Sequence, residues 1–184
     1  MSNTSSKKPY TVNVDEKATP VMVYTANEMS WGEVVTKQKI RVGAWLLTDM
    51  APAYVRLFLA QHLMLSGDAP NRPLRFTQLF VPIEQVIGFH VMPSVKEPLY
   101  YDPNIPGRKM EAVTVFSGLF QFKGHLFMST KSTVDQFLDV SRENFIQLFD
   151  VEITHPKMPP PGKFRLPYAI VRRSTALITS MTVT

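Results

Sequence analysis

The chain echoes itself, and an internal repeat restricts the available folds more than any single segment can, because each copy has to bury its apolar face in the same way. From Lys39, KIRVGAWLLTDMAPAYVRLFLAQ is answered by LFQFKGHLFMSTKSTVDQFLDV from Leu119. Each stretch has a strand-like run, a glycine (Gly43, Gly124), more apolar residues and a polar turn. Each then enters a short amphipathic segment ending in Phe58-Leu59 or Phe137-Leu138. Further on, RFTQLFVPIEQVIGFHVM is answered by RLPYAIVRRSTALITSM, which sets Arg75 against Arg165, Val81 against Val171 and Ile87 against Leu177. Between these blocks the second half is longer by the strand FIQLFDVEI and the loop THPKMPPPGK.

The coarse order in each half reads strand, strand, short helix, strand, strand. Fifteen prolines against eight glycines leave little room for long helices and favour strand ends and stiff loops. In the second half, Thr130 or Ser132 can cap a helix with Asp135 in its first turn and Val134, Phe137 and Leu138 on one face. Asn144 ends that pattern. Phe145, Ile146, Leu148, Phe149, Val151 and Ile153 then mix alternation with doubled apolar residues, which suits a strand covered on both sides. Gly118 and Gly124 mark places where the sheet bends. An apolar fraction of 45%, with 12 Phe, is enough to build a core and excludes a wholly disordered chain.

The expected organisation is a flexible N-terminal arm over 1–18, a first small β-barrel over 19–92, a Pro-rich linker over 93–109 and a second small β-barrel over 110–184. The N-terminal stretch is polar and lacks the apolar centre of a secretory signal. No run approaches the roughly 18–20 apolar residues of a membrane span. With no cysteine there can be no disulfide and no thiolate metal site. These features together lead us to expect a cytoplasmic protein.

The second half resembles the Sm-like small β-barrel. The likeness rests on a bent strand pair around FKGHLFM, a strand with FDVEI and a closing apolar-Arg-polar-apolar strand, IVRRSTALI. It is similar in particular to bacterial Sm-like domains that carry a short helix and an FL…F-I-x-L-x-D-V pattern. Here that pattern is Phe137, Leu138, Phe145, Ile146, Leu148, Asp150 and Val151. The first half matches more loosely. The resemblance implies a mainly β fold with short helices, built as two tandem Sm-like, SH3-like small β-barrels. RNA-binding members carry a polar Asp/Asn loop where STKSTVDQFLDV places a helix, and end their second motif in Arg-Gly where Arg172-Arg173 stands. The resemblance therefore does not imply RNA binding in a barrel pore, and it leaves ring assembly through edge strands open.

Motifs for chemistry are sparse. His62, His90, His125 and His155 show no metal-ligand spacing, and neither a phosphate-binding glycine loop nor a Gly-x-Ser-x-Gly elbow occurs. Asp150 and Glu152 fall on one face of a strand and read as structural. We expect no catalytic, cofactor or metal residues and no enzyme. The net charge of +5 gathers late: from Ile153 onward there is no acid, whereas Lys157, Lys163, Arg165, Arg172 and Arg173 lie there. Lys163, Arg165, Arg172 and Arg173 are the candidates for an anionic partner, and Tyr100 and Tyr101 for a protein interface. The expected role is that of an accessory or scaffold protein with a protein partner or a homo-oligomer. The alternative is a weak, salt-sensitive nucleic-acid binder using the basic C-terminal strand region.

Overall fold

Strand β7 (Phe120–Ser129) buries Phe120, Phe122, Gly124, Leu126 and Met128 and turns the residues between them outward, the alternation that a strand with one core face requires. The computed structural model describes residues 9–48, 51–65, 72–95, 97, 101–102, 104–159 and 162–180. Nine further strands are described: β1 Glu16–Thr25, β2 Glu28–Lys37, β3 Tyr54–Met64, β4 Leu74–Pro82, β5 Gly88–Val91, β6 Arg108–Ser117, β8 Phe145–Thr154, β9 Lys163–Arg172 and β10 Leu177–Ser180. The described α-helix, α1 (Val134–Val140), and 3-10 turns at Val42–Leu47, Ile83–Gln85 and Arg173–Thr175 connect them. The fold is mainly β, and no described helix is long and apolar enough to cross a membrane.

Where two separate closed barrels were expected, the strands form one ten-stranded antiparallel sheet in the order β10-β6-β7-β8-β9-β5-β1-β2-β3-β4. Each half contributes five strands in the same relative order. The ladder does not stop between them, because β5 of the first half pairs with β9 of the second through Gly88↔Val171 and Phe89↔Ile170.

The repeat is visible in the backbone, but part of the sequence echo was out of step. Gly124 has its counterpart in Gly32 on β2, whereas Gly43 lies in a 3-10 turn. Both Gly32 and Gly124 sit where the pairing register shifts, between Trp31 and Glu33 and between Lys123 and His125. Opposite them, Leu59 and Asp150 both adopt φ of 50°, the left-handed conformation of a bulge residue. A side chain on Gly32 would stand 2.7 Å from the Phe58 carbonyl oxygen, and one on Gly124 would stand 2.9 Å from that of Phe149. The true partner of Phe58-Leu59 is thus Phe149-Asp150 on β8, and Phe137-Leu138 lies on α1. The second block was in step: β4 and β9 run into 3-10 turns at Ile83 and Arg173, with Val81 and Val171 two residues earlier.

The repeat also begins earlier than the expected boundaries. Tyr10 packs on Phe58 and Tyr101 on Phe149, each with ring centroids 4.6 Å apart, and the Tyr10 hydroxyl donates to Glu33. Strand β1 starts at Glu16, inside the stretch expected to be a flexible arm; residues 1–8 lie outside the described residues. The linker is likewise anchored. Glu97 accepts the backbone N–H groups of Val42 (2.9 Å) and Gly43 (3.0 Å), and so holds the start of a 3-10 turn in the first half. The N-cap of α1 is Thr133 rather than Thr130 or Ser132, with the Gln136 side chain accepting from the Thr133 N–H at 3.1 Å.

Two core clusters fill the molecule, and each borrows from the other half. The cluster built on Phe122, Leu126, Leu148 and Val171 takes in Met22, Tyr24, Met29 and Leu63. The cluster built on Val21, Val34, Val55 and Leu57 takes in Phe145, Phe149, Tyr168 and Ile170. At the seam, buried His90 is held by two bonds: its Nδ1–H donates to the Val91 carbonyl and its Nε2 accepts from the Tyr24 hydroxyl, both at 2.9 Å. Burial pulls the His90 imidazole down to about 4, so it stays neutral.

Two predictions follow from this packing. Gly32→Ala and Gly124→Ala should each destabilise the fold by about 1–3 kcal/mol, read as a lower denaturant midpoint, because a methyl group would push against a strand backbone that cannot retreat. An unfolded His90 takes up its proton near pH 6.5, well above its folded value. The seam's contribution is therefore complete above about pH 6.5 and is lost as pH falls towards 4. Wild-type stability should drop by about 3 kcal/mol more than that of His90→Gln between pH 7.5 and 4, a difference that unfolding titrations would measure.

Candidate functional site

The four cations expected to face an anionic partner are not gathered into one patch. Lys163 and Arg165, at the start of β9, share the Glu152 carboxylate at 3.3 and 2.9 Å. Arg165 first, then Lys163, holds that carboxyl below its usual range. At the far end of β9, Arg172 donates through Nε to the Val86 carbonyl at 2.7 Å and through its terminal nitrogen to that of Ile83. Its guanidinium lies 4.6 Å from the centre of the Phe145 ring. Arg173 donates to the carbonyls of Leu138 and Ser141, which close the C-terminal end of α1. Thus two of the four are engaged by an acid and two by backbone oxygens. Tyr101 is half-buried against Phe127 and Phe149, so it serves the fold. Tyr100 lies outside the described residues.

Asp150 and Glu152 line a depression of about 690 Å³ together with Lys123, His125 and Arg165. A backbone strained at a carboxylate can mark chemistry. Leu59 has the same φ at the matching bulge in the first half, so the conformation belongs to the repeat. Glu152 is taken up by its two cations. Among the described residues no group of three His, Asp or Glu side chains is placed to hold a metal ion.

A different feature separates the halves: matching positions have opposite exposure. Counting from the two bulges, Tyr54 on β3 matches Phe145 on β8; counting from the two turns, Phe76 and Phe80 on β4 match Leu166 and Ile170 on β9. Phe145, Leu166 and Ile170 are 2%, 4% and 0% exposed; Phe145 and Ile170 share a cluster with Val21, Val42 and Val86 of the first half, and Leu166 belongs to the other cluster. Tyr54, Phe76 and Phe80 are 53%, 41% and 53% exposed. They lie at the end of the sheet, where β4 pairs with β3 alone. Arg56 reaches over Phe58 and Phe80, with its guanidinium carbon 4.5 and 5.5 Å from the ring centres.

The opposite end of the sheet is its counterpart. Strand β10 pairs with β6 alone, and Phe116, Leu119 and Leu177 are exposed beside it. The first half buries Tyr24, Ile87 and Phe89 at the corresponding end, against the second half. The sequence candidates, Lys163, Arg165, Arg172, Arg173, Tyr100 and Tyr101, include none of these exposed apolar residues. The signal lay in the in-step echo of RFTQLFV and RLPYAIV, which already set Phe76 and Phe80 against Leu166 and Ile170. No protein-family model, no curated protein and no solved structure matches the chain.

Proposed function

We propose that the chain is a non-enzymatic scaffold that assembles head to tail with copies of itself. In this reading β10 of one chain docks on β4 of the next, as β5 docks on β9 within the chain. The observation that carries it is the contrast between Tyr54, Phe76 and Phe80, which are exposed, and the matching Phe145, Leu166 and Ile170, which are buried. Aromatic side chains at an open strand edge are an unstable surface in water, since both their apolar area and the strand's outward N–H and C=O groups favour a partner. Each half is then one small barrel unit of Sm-like type, completed on its open side by its neighbour. Nucleic-acid binding through Lys163, Arg165, Arg172 and Arg173 is the weaker reading, because an acid or backbone carbonyls already occupy all four.

Light scattering on nuclease-treated protein tests the proposal. The mass should exceed the 20.9 kDa of one chain, rise with concentration and persist at high salt, because an apolar contact is not screened. Phe80→Asp places a charge on an exposed position and should leave the fold intact while weakening association by at least ~30-fold, as loss of a central aromatic contact does. A wild-type mass of one chain at every concentration, unmoved by Phe80→Asp, would sink the reading. Loss of the higher mass with salt would favour nucleic acid or another charged partner.

A further inference from the structure

The two kinds of junction differ at one residue. Inside the chain, Arg172 ties the second half to the turn before β5. Its backbone N–H donates to the Ile87 carbonyl at 2.8 Å, and its guanidinium reaches the carbonyls of Val86 and Ile83. Its guanidinium lies over the Phe145 ring; burial pulls the Arg172 pKa down, and the nearby Glu84 carboxylate partly offsets this. At the matching position β4 ends in Pro82.

Pro82 stands on the outer edge of the sheet. Ile83 donates its N–H inward, to the Ala53 carbonyl at 2.9 Å, and neighbouring residues of a strand point their backbone groups to opposite sides. Position 82 therefore faces away from β3, towards any strand that docks there. Proline offers that strand no N–H and no cationic side chain. The rest of the site is intact: Tyr54 stands where Phe145 supports Arg172. On the docking chain, the carbonyls of Leu177, Ala176 and Arg173 stand where those of Ile87, Val86 and Ile83 receive Arg172. Ser174 takes the place of Glu84.

We infer that Pro82 limits assembly: it makes the junction between chains weaker than the junction within each chain, so that chains associate reversibly as intact two-half units. This rests on the head-to-tail reading and adds to it the identity of the residue that sets its strength. A proline on an edge strand is also a known guard against uncontrolled strand pairing, which fits a surface that has to associate without aggregating.

Substitutions at position 82 test the inference by concentration-dependent light scattering. Pro82→Ala restores one backbone donor, and Pro82→Arg restores the donor and the guanidinium. Dissociation constants should fall in the order wild type, Pro82→Ala, Pro82→Arg, with at least a tenfold gain overall, as one or two added hydrogen bonds give. The double variant Phe80→Asp, Pro82→Arg should return towards monomer, which would show that the gain arises at the β4 surface. If Phe80→Asp dissociates the wild-type chain but Pro82→Arg binds no more tightly than wild type, the limit at Pro82 is wrong and the head-to-tail reading survives. If Phe80→Asp changes nothing in either background, the head-to-tail reading itself fails.

Discussion

The short pairing of β5 with β9 organises the molecule. Only Gly88↔Val171 and Phe89↔Ile170 are in register, with the Arg172 N–H adding a bond to Ile87. A ladder this short contributes little by its hydrogen bonds alone, at about 1 kcal/mol net for each. Its weight lies in what the pairing places face to face. Phe89, Ile170, Tyr168, Phe145 and Phe149 enter one cluster with Val21, Val42 and Val86, and each fully buried large side chain is worth about 1.5–3 kcal/mol. Without the seam those rings would face water, as Tyr54 and Phe80 do at the other end. The first half alone would also lose the cover over Met22, Tyr24 and Met29. The halves are therefore mutually dependent, although each repeats the same order of elements.

Curvature supplies the second constraint. A flat strand could not wrap a core and pair with its neighbour at once. The bulges at Leu59 and Asp150 bend β3 and β8, and Gly32 and Gly124 let the adjacent backbone come close enough to follow. The tyrosines ahead of β1 and β6 pack beside each bulge. Tyr10 and Tyr101 meet the phenylalanine just before the bulge at the same centroid distance, so the anchoring residue belongs to the repeat unit as much as the strands do.

How much of this was legible in the sequence depended on what kind of signal each residue carried. The β content, the helix near Val134 and the in-step match of Arg75 with Arg165 follow from local alternation and spacing, which a linear reading detects. The match of Gly43 with Gly124 failed because a glycine in a 3-10 turn and a glycine at a bulge look alike without knowing which strand lies opposite. Phe137-Leu138 misled in the same way, since an amphipathic helix and a bulged strand can both carry Phe-Leu. The continuous sheet was beyond reach for a different reason. Pairing of β5 with β9 joins residues more than eighty positions apart, and nothing in GFHV or YAIV specifies that partner. Tyr101 was an interface candidate because tyrosines in a Pro-rich linker suit interfaces, while the rings it packs on come from β7 and β8.

The acid-free C-terminal region shows why a charge excess is a poor guide to a binding face in this fold. Cations without acids nearby were read as free to meet an outside anion. Arg172 and Arg173 instead meet carbonyl oxygens left over at a turn and at a helix end, acceptors that carry no formal charge and so leave no trace in a count of acids. A guanidinium suits that work, since its several donors can serve two carbonyls at once while its flat face rests on an aromatic ring. The same geometry explains why the closing strand of the second half keeps Arg-Arg where that of the first half has Pro-Ile. In the second half the edge is an interior seam, and an unsatisfied carbonyl there would be costly. At the outer edge of the first half, Pro82 offers a docking strand neither the N–H nor the cation that Arg172 offers β5, so pairing there is weaker.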